Sequence, residues 1–138
     1  MIHPAVALTA ADLELIAAAQ AVMQQHHRPF WHTVAAALRG ADGRIWTGLH
    51  LGTTVGRLSI CAEPVALGQA ILAGGGEIVT AVAVRHHKPD EDDQSIAVVT
   101  PCGACRELLV DYAPDCMVIV PGDMKLPAMA LLPLPYRR

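Results

Sequence analysis

Three cysteines and one glutamate are the residues of this chain best suited to chemistry. Cys61 and Glu63 stand in Cys61-Ala62-Glu63, and Cys102 and Cys105 in Pro101-Cys102-Gly103-Ala104-Cys105-Arg106. Thiolates are soft donors that suit zinc. Three of them leave the fourth tetrahedral corner to water, which separates a catalytic zinc from a closed structural one. Zinc raises the acidity of such a water greatly. Glu63 lies two residues from Cys61, so within one helical turn it can sit beside the metal without ligating it and move the water's protons. This is the equipment of a hydrolytic enzyme.

A lone Cys-x-x-Cys would fit structural zinc or redox chemistry equally well. The combination favours the catalytic reading: both motifs open a helix, Pro101 precedes the pair, and about 40 residues containing a strand separate them. Helix N-termini present free N–H groups and a partial positive charge, which favour thiolates. Cys116 is the candidate for a fourth ligand. The helix between it and Cys105 is about 15 Å long, so Cys116 falls at the far end and reads as a small buried apolar residue.

The elements that must position these groups follow from periodicity. Residues 9–26 read as an amphipathic helix capped by Thr9 or Asp12, with Leu13, Ile16, Ala17 and Val22 on its apolar face and Pro29 beyond its end. Residues 33–39 and 44–51 read as strands joined through Ala41-Asp42-Gly43, whose Asp-Gly pair favours a tight hairpin. A Gly/Thr loop, 52–56, leads to Cys61. A helix over 62–73 turns Val65, Ala66, Ala70 and Ile71 inward and stops at Gly74-Gly75-Gly76. Pro64 fits there, because a first-turn N–H has no helical partner anyway. Residues 78–84 form a β-branched buried strand. Residues 85–94 are a charged surface loop in which His86 and His87 are solvated, and 96–99 return as a strand. A helix over 102–112 and a strand over 117–120 precede a proline-punctuated tail with a short strand or helical turn. The sum is an α/β fold, a three-layer α/β/α sandwich around a mixed sheet, in one domain over 1–138.

Composition narrows the class. Of 138 residues 53% are hydrophobic and 17% charged, which predicts an oligomer that hides part of its surface against copies of itself. The net charge is −3 and there are five aromatic residues. A polynucleotide binder needs a basic groove and stacking aromatics, so the substrate reads as a small free molecule, with no nucleic acid. No apolar run reaches the roughly 18 residues of a membrane span. The N-terminus lacks a basic region followed by an apolar stretch, and four cysteines suit a reducing compartment, so the sequence reads as cytoplasmic.

With these residues in hand the chain resembles the small cytidine deaminases over more than two-thirds of its length. Asp42-Gly43-Arg44-Ile45-Trp46-Thr47-Gly48 is similar to their D-G-x-x-(F/Y)-x-G hairpin. Ile60-Cys61-Ala62-Glu63 and Pro101-Cys102-Gly103-Ala104-Cys105-Arg106 are similar to their metal segments, and Leu131-Leu132-Pro133 to their closing L-L-P. The resemblance implies one zinc ion per subunit held by Cys61, Cys102 and Cys105, Glu63 as general acid/base, and loss of an amino group as ammonia. It places His32, His50 and Ala62 at a nucleoside-like substrate. It also implies a homotetramer whose sites borrow residues from neighbours, with Tyr136 reaching towards one of them.

The chain also departs from that pattern. The family's ribose segment, G-x-N-x-E-N, becomes Gly48-Leu49-His50-Leu51-Gly52-Thr53, so His50 replaces the asparagine and Gly52 the carboxylate. His32 stands at the base-stacking aromatic, with Trp31 adjacent. Pro64 takes the place of an arginine that offsets the thiolates, a role Arg106 can assume. Losing a charge-assisted hydrogen bond costs about 1.5–3 kcal/mol, or 10- to 100-fold in affinity. The departures resemble the blasticidin S deaminases, which share Pro-Cys-Gly-x-Cys-Arg-x-x-Leu-x-Asp-x-x-Pro, ending here at Pro114. The expectation is a deaminase of a cytosine-like ring on something other than ordinary ribose. The competing classes are a nucleic-acid-editing deaminase and a non-catalytic zinc protein of the same fold; Glu63 has no use in the latter.

Overall fold

The computed structural model describes residues 5–138. Its core is a seven-stranded mixed sheet in the order β1-β7-β6-β4-β2-β3, with β5 also pairing β4. The strands are β1 (Val6–Ala7), β2 (Val34–Gly40), β3 (Ile45–Leu49), β4 (Ile78–His86), β5 (Ile96–Val99), β6 (Met117–Val120) and β7 (Met124–Pro127). Strand β4 organises the sheet. The antiparallel β2 runs along one edge, while the other is divided between β6, parallel near its start, and β5, antiparallel near its end.

Side chains alternate across this sheet and build two cores. Ala35 and Ala37 of β2 join Val82, Val84 and Ile119 beneath helix α1 (Ala10–His26). Ala36 and Leu38 join Trp46, Ala81 and Val118 beneath α2 (Ala62–Leu72) and α3 (Gly103–Tyr112). The expected three layers are therefore present.

The stripe that α1 buries differs from the expected one. Leu15, Ala19 and Met23 are fully buried, together with Asp12, whereas Leu13 and Ala17 face outward. Asp12 is drawn inward because Lys125 of β7 donates to it at 2.7 Å, and this fixes the helix's rotation. Thr9 caps the helix in a reciprocal box with Asp12. On α2, Ile71 is likewise exposed and Leu67 buried. Strand β4 runs on through Arg85 and His86, which sequence reading assigned to the charged loop, because β5 gives their backbone a partner. His86 and His87 are half-buried rather than solvated, with the His86 ring stacked on His27 at 3.6 Å. The tail supplies both β7 and a 3-10 turn, Ala128–Leu131. Strand β1, two residues paired to β7, carried no periodic signal.

Two hairpin strands set the stage for the first metal segment. The turn closes with Gly43 N–H donating to Gly40 O, and β3 then passes under the start of α2. A Cβ on Gly48 would lie inside the van der Waals shells of Ala62 O and Ala66 N, so only glycine lets the helix sit this close to the strand.

Candidate active site

Cys61 and Cys102 occupy equivalent places. Each is the N-cap of its helix, with extended backbone (φ −64°, ψ 162° and φ −66°, ψ 167°). Cys105 falls in the first turn of α3 and Glu63 in the first turn of α2, so two helix N-termini converge on one point. The three sulfurs lie within 4.8 Å of one another, and the Cys61 and Cys102 Sγ atoms are 3.5 Å apart. A tetrahedral ion with Zn–S bonds of about 2.3 Å spaces its sulfurs about 3.8 Å apart, so the thiol set fits zinc in both donor chemistry and spacing. Cys116 is outside the group, packed in the core beneath α2 and α3, where burial and then Asp115 push its thiol up to about 12.

Glu63 is 5% exposed, and its Oε2 accepts from the Cys105 Sγ–H at 2.8 Å. Electrostatics differ among the three sulfurs. Burial opposes ionisation of Cys102, yet the backbone N–H groups of Cys105 and Ala104 and the neighbouring thiols hold its pKa below the usual cysteine value. This is the helix-terminus effect expected from sequence. Burial raises Cys61, and burial together with the Glu63 carboxylate raises Cys105 far more.

A cavity of about 220 Å³ opens over this group. Cys61, Glu63 and Cys102 line it together with His50, Thr33, Val34, Val99 and Thr100. Sequence reasoning named His50 but missed Thr33, Val34, Val99 and Thr100. Thr100 was findable as the residue preceding the Pro101-Cys102 pair at the end of β5.

Thr33 N–H donates to His50 Nδ1 at 3.1 Å, which leaves a neutral His50 ring protonated on Nε2. Burial, then the charge of His32, holds His50 below the ordinary histidine value, so it stays neutral at physiological pH. His32 is absent from the cavity's lining. Its Nδ1–H donates to the His50 carbonyl at 2.9 Å, one layer behind. Ala62 is fully buried under β3. Arg106 directs its hydrogen bonds to the carbonyls of Pro101 and Leu131, which ties the closing segment to the second metal loop.

Gly52, where the family pattern has a carboxylate, has no room for a side chain. A Cβ there would meet Phe30 O at 2.6 Å and Trp31 Cα at 2.9 Å, and Gly52 N–H donates to Trp31 O. The backbone of the 28–32 turn fills that volume.

Comparison with known proteins agrees with this geometry. The family model described as the cytidine and deoxycytidylate deaminase zinc-binding region matches residues 9–120. A blasticidin-S deaminase of Bacillus cereus is 43% identical over 130 residues, covering 92% of this chain and 93% of its own. The crystal structure of a cytidine deaminase from Burkholderia pseudomallei aligns with a TM-score of 0.74 at 29% identity, covering 94% of this chain and all of that one. A cytidine deaminase structure from Mycobacterium tuberculosis has the same fold, with a TM-score of 0.76 at 24% identity over 91% of this chain and 97% of that one. With zinc-fitting thiols at two helix ends and a buried glutamate beside them, the chain belongs to the cytidine and deoxycytidylate deaminase zinc-binding family.

Proposed function

We propose that this protein is a zinc-dependent hydrolytic deaminase of a cytosine-type nucleoside, with specificity shifted away from ordinary ribose. The observation that carries it is the buried Glu63 carboxylate set 2.8 Å from one of three clustered cysteine sulfurs. Cys61, Cys102 and Cys105 hold the zinc ion, which when bound supplies a Lewis-acidic centre that makes water a nucleophile at neutral pH. Glu63 would take one proton from the attacking water and pass it to the ring nitrogen. It would then take the second from the hydroxyl added to the ring carbon and deliver it to the amine, which leaves as ammonia as the C–N bond breaks and the carbonyl forms. The two helix N-termini lower the cost of concentrating thiolate charge around the site. His50, neutral and donating from Nε2, orients the substituent attached to the ring. His32 holds the His50 carbonyl from behind, and Ala62 brings the backbone of α2 to the substrate.

The 43% identity to a blasticidin-S deaminase favours a second reading within the same chemistry, a nucleoside antibiotic as substrate. The filled volume at Gly52 supports both readings, since a ribose hydroxyl finds no carboxylate there. We place the protein in the cytoplasm, where thiolate ligands stay reduced. We further read it as a homotetramer, because Val55, Leu58, Leu72 and Leu134 are all more than half exposed.

Ammonia release from cytidine, deoxycytidine, cytosine and blasticidin S by the zinc-loaded protein, side by side, tests the reading. The expected result is turnover of a cytosine nucleoside with cytidine disfavoured. Full-strength turnover of cytidine alone would refute the shifted specificity, and no ammonia from any of the four would refute the deaminase.

A further inference from the structure

Thr33 lies one residue before β2 and His50 one residue after β3, so the two flank the open end of the hairpin. Both line the cavity. Two polar groups of Thr33 reach a single atom of His50. The backbone N–H donates to Nδ1 at 3.1 Å, and the side-chain Oγ1 is 3.3 Å from the same nitrogen. Thr33 is itself anchored from behind, because its carbonyl accepts from His86 N–H at 2.9 Å.

The peptide groups of His50 are fixed as well. Its N–H donates to Val34 O at 2.9 Å, and its carbonyl accepts from the His32 ring at 2.9 Å. Backbone and Nδ1 are thus committed, whereas Nε2 has no protein partner among the described residues. An N–H aimed at Nδ1 excludes a proton on that nitrogen, so the Thr33 backbone selects the Nε2–H tautomer. The hydroxyl can rotate to donate to the same lone pair. It adds aim to the ring rather than choice of tautomer.

The asparagine of the family's ribose pattern carries an acceptor as well as donors. His50 in this tautomer presents a donor alone, and Gly52 removes the pattern's carboxylate. Both acceptors of that pattern are therefore gone, and one aimed donor stands in their place.

We propose that Thr33 is a positioning residue for the deamination, aiming the His50 ring so that its Nε2–H meets the substituent of the substrate as a donor. The proposal rests on the deaminase reading for the identity of the substrate. A ring already held in its working orientation loses little freedom when the substrate arrives, so the benefit falls on binding.

Two measurements on the zinc-loaded protein test this. In the first, the ring nitrogens are read by 15N NMR near neutral pH, with His50 assigned by its absence from His50→Phe. The expected ring has Nδ1 bare and Nε2 protonated, and a proton on Nδ1 overturns the proposal. In the second, ammonia release from cytidine and from blasticidin S is compared in Thr33→Val and Thr33→Ser. Valine keeps the branched shape without the hydroxyl, and serine keeps the hydroxyl without the methyl. On each substrate that releases ammonia, Thr33→Val should lose about 2- to 10-fold in kcat/KM, through KM and with zinc retained. Thr33→Ser should lose less. In the His50→Phe background Thr33→Val should cost nothing further, because its effect passes through the ring.

No loss in Thr33→Val, or a greater loss in Thr33→Ser, would mark a packing role and overturn the proposal. An undiminished loss in the His50→Phe background overturns it too, by putting Thr33 itself against the substrate. No ammonia from either compound sinks the deaminase reading, and the NMR tautomer then decides the Thr33–His50 pair alone.

Discussion

The Cys105 sulfur and the Glu63 carboxylate, from the first turns of two different helices, meet at 2.8 Å with the thiol donating. On the proposed reading the contact joins a zinc ligand to the residue that moves protons. Glu63→Ala should therefore separate binding from chemistry: zinc stoichiometry by atomic absorption stays at one per chain, while kcat falls about 10²- to 10⁴-fold. Parallel loss of zinc and activity would make Glu63 a structural partner of Cys105 and nothing more.

Removing zinc should expose an asymmetry among the three thiols. Cys102 has the depressed pKa and so furnishes the attacking thiolate. Cys61 Sγ lies 3.5 Å away, whereas Cys105 is committed to Glu63. Chelation followed by mild oxidation should give a Cys61–Cys102 disulfide, detected by peptide mapping, and a lower thermal midpoint. A Cys102–Cys105 bridge instead would mean that the Glu63 contact does not hold Cys105.

His50 should tune the substrate without touching the metal. In His50→Phe the Thr33 N–H loses its acceptor and the cavity loses its imidazole. The expected outcome is a fall in kcat/KM of about 10- to 100-fold, with zinc retained. His32→Ala removes only the donor to the His50 carbonyl and should cost less. A larger loss in His32→Ala than in His50→Phe would place the substrate against His32.

Gly52→Glu tests whether the missing sugar contact was given up for space. Its Cβ would press on Phe30 O and Trp31 Cα, backbone atoms that cannot rotate aside. The variant should lose about 1–3 kcal/mol of stability, read as a lowered thermal midpoint, and show no gain on cytidine. A stable variant with improved cytidine turnover would show that the turn yields easily.

The chemistry was legible in the sequence because it depends on local spacing. Cys61, Glu63, Cys102 and Cys105 each sit within the first residues of a helix, and helix starts are written in caps and short motifs. What escaped depends on tertiary contacts. The rotation of α1 is set by Lys125, 113 residues from Asp12, and no window along the chain contains both. Arg85 and His86 read as loop by composition, yet β5 pairs their backbone. Thr33 has no motif at all; it matters because its N–H and hydroxyl both reach His50 Nδ1.

Asp12 supplies the pH dependence of stability. Burial alone would raise its pKa, but the Lys125 hydrogen bond, the Thr9 backbone and hydroxyl, and the Lys125 charge together bring it below the ordinary 3.8. A depressed folded-state pKa means that the contribution to stability is complete above the unfolded value and is lost as pH falls through the folded one. The loss should therefore begin below about pH 4, near the unfolded carboxylate value. Asp12→Asn leaves Lys125 without its partner and should cost about 3 kcal/mol at pH 7. The gap between wild type and Asp12→Asn, followed by urea unfolding from pH 7 to pH 2, should narrow only at the acid end. A gap constant across that range would mean that the carboxylate's charge contributes nothing and that Thr9 capping alone holds the helix.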